Sequence, residues 1–273
     1  MISTSTATEV INTVLTPLAG LPACIAGSVV AAEAYALELH DTSDIDVFCY
    51  TDGALITAIE RLVNHHFTLD ERFERVRARW LRYGFKTWHT NSIKLHSPPI
   101  RNAAGDTVEY EVNLVYKLIG GRPLNSLSQV LESFDFGLLT MGYECETGLF
   151  RDLRGYLFPG LDPEGPLPLV PNKRDNWVNG FISRYNGLRE AGRYGKYVRY
   201  GHDLSAVKDD MITGYLEAAN YLRNRGDEDR IKLAEIYEAI AYKIETDAID
   251  ELIEANKTIL VLDSLDEIME ALE

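Results

Sequence analysis

Apolar residues recur along this chain at two periods, and the changes of period mark out its elements. Residues Thr6–Leu18 carry Val10, Ile11, Val14, Leu15 and Leu18 at helical spacing behind a Ser/Thr-rich start, which predicts a first, capped helix. Cys24-Ile25-Ala26 is a short apolar strand broken by Gly27-Ser28. A small-residue helix is predicted over Val29–Leu39, then a polar turn, then a strand in which Asp44 and Asp46 alternate with Ile45 and Val47. Thr51-Asp52-Gly53 reads as a turn and Ala54–Asn64 as an amphipathic helix. The adjacent His65 and His66 suit the end of that helix better than a shared metal, because neighbouring side chains on a helix diverge. Thr68–Tyr83 predicts another helix, its many charges mostly a solvated face with an arginine or two in reach of a cleft. Phe85–Leu95 and Val108–Leu118 read as strands that pair antiparallel across a Pro- and Gly-containing turn. A short helix over Asn125–Phe134, capped by Asn125 or Ser126, leads into Phe134-Asp135-Phe136 and the apolar run Gly137–Tyr143.

Beyond this point the pattern changes. Leu157–Pro171 is rich in proline and glycine and reads as a linker or wrapping loop. Everything after it has helical periodicity: Lys173–Leu188, with Trp177, Phe181, Ile182 and Tyr185 in one stripe, then Leu204–Asn224, Asp229–Glu245 and Asp247–Asn256, with Lys257–Leu265 a strand or helix end. The expected organisation is a domain over residues 1–158, a linker over 159–171 and a helical domain over 172–273. The expected fold class is α+β, a small β-sheet flanked by helices followed by a helical C-terminal domain.

Composition narrows the function classes. Of 273 residues, 46% are hydrophobic, enough for a sizeable core, and no apolar run reaches the length of a membrane span. The N-terminus lacks the basic start and apolar centre of a signal peptide, so a cytoplasmic location and no membrane association are expected. Cys24, Cys49 and Cys145 lack metal-ligand spacing and read as buried thiols. The net charge of −15 argues against nonspecific binding of long nucleic acid. Charge is nonetheless uneven: from Asn172 to His202 seven basic residues face two acidic ones, whereas from Asp203 to Glu273 seven face nineteen. The first stretch interleaves Arg193-Tyr194, Lys196-Tyr197 and Arg199-Tyr200. That pattern serves equally for gripping phosphate and stacking a base or for a surface helix with half-buried tyrosines.

The candidate chemistry lies in the strand carrying Asp44 and Asp46. Side chains two apart on a strand share a face, so both carboxylates project together while Ile45 and Val47 face the core. Paired carboxylates resist joint ionisation unless a positive charge sits between them, and Mg²⁺ is commonly held by one or two carboxylates together with substrate phosphates. Gly27-Ser28 at a helix start supplies backbone N–H groups for an anion and a close approach to the chain. An Asp-x-Asp pair alone also describes any half-exposed strand. The order strand, Gly-Ser, helix, strand gives it weight.

That order, Gly27-Ser28, a helix, then Asp44-Ile45-Asp46, resembles the signature of the DNA polymerase β-like nucleotidyltransferase superfamily over roughly the first 150 residues, and the Phe134-Asp135-Phe136 segment loosely resembles phage-type members. The resemblance implies a small mixed sheet flanked by helices, two Mg²⁺ (or Mn²⁺) ions, and transfer of a nucleoside monophosphate from an NTP to an acceptor hydroxyl on RNA, a protein or a small molecule. It also implies a third carboxylate on a neighbouring strand. Glu109, Glu111 and Asn113 share one face of the segment Val108–Lys117, and Glu111, near its centre, is the first choice, with Glu109, Asn113 and Asp135 as alternatives. In this reading Asp44, Asp46 and Glu111 hold metal and do the chemistry. Gly27 and Ser28 hold the triphosphate, with one or more of Lys173, Arg184, Arg193, Lys196 and Arg199 neutralising the pyrophosphate. Asn113 in the third place would leave no proton acceptor there, so a catalytically silent nucleotide- or partner-binding module is the alternative, and a phosphoester hydrolase a weaker third.

Overall fold

The computed structural model describes residues 5–70, 91–102, 104–119, 121–171, 184–225 and 227–251. It divides into two compact units, Met1–Pro159 and Gly160–Glu273. The first is mixed α and β; the second, where described, is helical.

In the first unit, α1 spans Thr6–Leu18, with the Ser5 hydroxyl accepting from the Thr8 N–H as its cap. Strand β1 (Ala23–Ala26) is fully buried, and helix α2 follows over Ser28–Ala34. α2 stops five residues short of the Leu39 expected from composition, because Tyr35 leaves helical geometry and Ala36 turns to φ 52°, so Leu37 N bonds back to Ala32 O. β2 is Asp44–Cys49. The Thr51-Asp52-Gly53 turn proves to be a helix start: Thr51 caps α3 (Asp52–Asn64), accepting from Ala54 N. His65 closes α3, its Nδ1 2.8 Å from Arg61 O, a helix-end role.

The chain then departs from the helix expected over Thr68–Tyr83. After His66, at φ 68°, Thr68–Leu69 forms a short edge strand, β3, antiparallel to β4 (Asn91–His96), and Asp70 N bonds Lys94 O. The reversal at His66 and a β-branched residue behind it favour extended chain over a new helix. The rest of that expected helix, and the Phe85–Thr90 part of the expected strand, lie outside the described residues. Two small hairpin arms follow, β5 (Ile100–Arg101) with β6 (Thr107–Val108), and, after β7 (Glu111–Tyr116), β8 (Leu118–Ile119) with β9 (Arg122–Pro123). Helix α4 (Leu127–Glu132) is capped by Ser126, which accepts from Gln129 N; a single 3-10 turn at Gly137–Leu139, strands β10 (Met141–Glu144) and β11 (Phe150–Asp152), and the short α5 (Arg154–Leu157) complete the unit.

Among the described residues seven strands form one mixed sheet in the order β11-β10-β1-β2-β7-β4-β3, and of the pairs described only β2 and β7 are parallel. The antiparallel pairing of the two strands expected around residues 85–118 is present as β4 with β7. One face packs under α1, α2 and α3 through Val10, Val14, Leu18, Val29, Leu55 and Leu62 against Ile25, Ile45, Val47, Val112 and Leu114. The opposite face is covered at one end by α4, whose Leu127, Val130 and Leu131 meet Cys24, Ala26, Phe48 and Tyr50. The three cysteines are buried free thiols.

The second unit contains α6 (Arg184–Arg199), α7 (Ser205–Arg223) and α8 (Glu228–Glu245), the last two close to the helices expected over Leu204–Asn224 and Asp229–Glu245. Of the helix expected over Lys173–Leu188, residues 173–183, with Trp177, Phe181 and Ile182, lie outside the described residues, as do residues 252–265 of the segments expected beyond Asp247. Tyr215 and Tyr237 are fully buried edge-to-face, 5.5 Å between ring centroids, and the Tyr215 hydroxyl donates to Gly187 O at 2.5 Å. Among the described residues no helix is long and apolar enough to cross a membrane.

Candidate active site

Alternation along β2 divides its residues as the sequence implies. Ile45 and Val47 are wholly buried under the three helices, and Asp44 and Asp46, both half-buried, point to the other face in line with Phe48. The parallel register with β7 sets Glu111 opposite Asp44 and Asn113 opposite Asp46. The Asn113 amide donates to both aspartates, to Asp44 Oδ2 at 3.2 Å and to Asp46 Oδ1 at 3.3 Å. These bonds fix the two carboxylates side by side. They also place a partial positive charge where two anions meet, the electrostatic task a cation would perform.

Gly27 stands directly against this pair. Its backbone lies at φ 95° and ψ −152°, a region open essentially to glycine, and a Cβ there would sit 3.2 Å from Asp46 Oδ2. The glycine therefore serves two ends: it turns the chain from β1 into α2 and leaves room for the carboxylate. Ser28 is buried, and its hydroxyl donates to the main-chain carbonyl of Asp44 at 3.3 Å, stitching the start of α2 to β2. α2 is held further along by Glu33, which accepts from the Thr8 hydroxyl of α1 at 2.9 Å and from the Tyr143 hydroxyl of β10 at 2.6 Å.

Glu111 is on the same face but not part of the carboxylate pair. Its partner is Lys94, from the other neighbour of β7: Lys94 Nζ lies 2.5 Å from Glu111 Oε1. Asn113, weighed above as an alternative, is the β7 side chain that contacts Asp44 and Asp46. Glu109 is exposed on the coil before β7, and Asp135 lies half-buried on the loop after α4. Two residues that sequence reasoning passed over share this region. Lys94 interrupts the apolar Ile93 and Leu95, so alternation alone puts it on the non-core face, but its pairing with Glu111 depends on a register the sequence does not display. Lys117 donates to the Ser133 hydroxyl at 2.8 Å with its ammonium 6.0 Å from the Phe48 ring centroid and 5.6 Å from that of Phe134, which pins the Phe134-Asp135-Phe136 segment onto the sheet.

Of the predicted basic clamp, Lys173 lies outside the described residues and Arg184 begins α6. Arg193 is bonded to Glu190 at 3.0 Å, and Arg199 to Asp250 at 2.7 Å. Lys196 stands 5.6 Å from the Tyr200 ring centroid. Tyr194 and Tyr197 are buried, and burial pushes the Tyr194 hydroxyl up to about 12; neither ring is open to stack a base. The basic and aromatic alternation of α6 is thus in large part the packing pattern of a helix.

No protein-family model matches the chain, and no curated protein does. Among the described residues no three His, Cys, Asp or Glu side chains converge as a metal ligand set. The donors at Asp44 and Asp46 still suit a single hard cation: two adjacent carboxylates, with a side-chain amide that presents oxygen on rotation by half a turn.

Proposed function

We propose that this chain is a metal-dependent nucleotidyltransferase with the β-polymerase-like fold, transferring a nucleoside monophosphate from an NTP to an acceptor hydroxyl. The observation that carries the reading is the convergence of Asp44, Asp46 and Gly27: paired carboxylates on one strand, bridged by Asn113, with a glycine against one of them in backbone that a side chain would strain. Glycine is the residue that takes up such backbone without strain, and close approach of a ligand to the chain is one of its common uses.

Asp44 and Asp46 would hold Mg²⁺ with the Asn113 amide oxygen as a neutral third donor. Bound there, the ion would offset triphosphate charge and favour ionisation of the acceptor hydroxyl. The chain's own residues do the rest. Gly27 lets the phosphates near the main chain, and Ser28 anchors that bend to β2. Lys94, held by Glu111 on the same face, offers a positive charge to the departing pyrophosphate. The acceptor oxygen bonds to the α-phosphorus, the bond to the bridging oxygen breaks, and the acceptor proton passes to a carboxylate of this face. A second reading is favoured by one observation: Asn113 cannot take a proton and Glu111 is engaged by Lys94, which suits a module that binds nucleotide without turning it over.

Incubation with each α-³²P-labelled NTP, Mg²⁺ or Mn²⁺ and pooled RNA, protein and small-molecule acceptors tests both. Label transfer that is lost in Asp44→Ala with Asp46→Ala, at unchanged circular dichroism, is expected of the enzyme. Nucleotide binding without transfer identifies the silent module. Transfer that survives the double substitution refutes the site.

A further inference from the structure

We propose that this face accepts one divalent cation, rather than the two that the family resemblance implies, because Lys94 supplies the other positive charge from within the chain. The inference rests on the reading of Asp44 and Asp46 as cation ligands. Among the described residues, the adjacent strands β2 and β7 carry three carboxylates on this face, Asp44 and Asp46 on β2 and Glu111 on β7, while Glu144 of β10 is taken up by the Tyr50 hydroxyl and the Leu127 N–H. Glu111 is held in an ion pair: Lys94 Nζ is 2.5 Å from Glu111 Oε1, with side chains 37% and 32% exposed, so the pair is partly buried and still partly screened by solvent. The β7 side chain that does reach Asp44 and Asp46 is Asn113, which adds a donor and no charge.

Two ions about 4 Å apart, as in two-metal phosphoryl-transfer sites, need anionic ligands enough to offset their mutual repulsion. Here the carboxylate best placed to join Asp44 and Asp46 holds an ammonium, and Lys94 stands opposite Asn113 in the β4–β7 register. A second dication would have to displace that ammonium or settle beside it, against like-charge repulsion. Lys94 with Glu111 is therefore a fixed substitute for the second ion, and Asn113 is the residue that keeps the first site from gaining a third charge.

The experiment is equilibrium dialysis of the full chain against Mn²⁺ with a saturating non-hydrolysable α,β-methylene NTP analogue, counting manganese and nucleotide per chain after correction for manganese on free nucleotide. The wild-type chain is expected to take up a single ion. Asn113→Asp, which adds a carboxylate, and Lys94→Met, which releases Glu111, are each expected to raise the count to two. Two ions in the wild type, both lost in Asp44→Ala with Asp46→Ala, overturn the single-ion inference and leave the proposed function standing. Uptake indifferent to that double substitution overturns the cation site itself. If both single variants are folded by circular dichroism and still take up one ion, charge does not set the number and the role given to Lys94 is wrong.

Discussion

Replacing Gly27 by alanine tests the junction between fold and site, and Gly20 supplies its control. Both glycines have positive φ, 95° and 79°, so alanine is strained at either. Such backbone costs an L-residue about 1–3 kcal/mol, and Gly27, with ψ near −152°, belongs at the upper end. The surroundings differ. A Cβ at Gly20 meets nothing within 4 Å, whereas one at Gly27 lies 3.2 Å from Asp46 Oδ2, closer than ordinary packing, so the carboxylate must give way by a few tenths of an ångström. If a displacement of ~1 Å costs about 100-fold in rate, a few tenths should cost roughly 3- to 10-fold. Urea unfolding should therefore show both variants destabilised by about 1–3 kcal/mol. Label transfer, measured at a temperature where both are fully folded, should fall only in Gly27→Ala. Equal loss of transfer in Gly20→Ala would make the effect global, and a Gly27→Ala protein as stable and active as wild type would refute the assignment of strain and contact at this position.

Two further outcomes follow from burial. His202 is 7% exposed, edge-on to Tyr197 at 5.9 Å, and burial holds its pKa down to about 4. Its folded value lies below the ordinary 6.5, so the stability tied to neutral His202 is complete above pH 6.5 and is lost as pH falls towards 4, by at most about 3 kcal/mol. Thermal melts of wild type and His202→Gln should differ in slope over that window and run parallel above it; the same slope in both would count against a buried neutral imidazole. The thiols of Cys49 and Cys145 are pushed up to about 12, chiefly by burial, and that of Cys24 is raised further. Native protein at pH 8 should react with a thiol reagent at none of the three within minutes and at all three in guanidinium, and a fast-reacting cysteine would contradict the packing.

Local pattern sufficed for much of this molecule. The alternation of Ile45 and Val47 with the aspartates predicted both the buried and the half-buried face of β2, because period-two patterning is a property of the strand itself. The first helix ended at Leu18 as its stripe did, and Ser126 capped α4 as its side chain allows. What failed depended on partners distant in sequence. Thr68 and Leu69 have helical company on one side, but β4 claims them as an edge. Glu111 and Asn113 share a face of one strand, and only the alignment with β2 and β4 decides that asparagine meets the aspartates while glutamate meets Lys94. The tyrosines of α6 illustrate the same limit: a sequence shows aromatic spacing, not which rings the neighbouring helices cover.

The side-by-side alignment of β2 and β7 has a bearing on how the chain reaches its working form. Asp44 and Asn113 are 69 positions apart, and same-direction neighbours cannot be joined by a tight hairpin, so their meeting waits on closure of a long intervening loop. During synthesis the aspartates emerge well before the amide that reconciles them. A nascent chain halted ahead of Glu111 would carry the two like charges without the Asn113 amide, and acquisition of the complete centre should coincide with the slowest, most non-local event in folding.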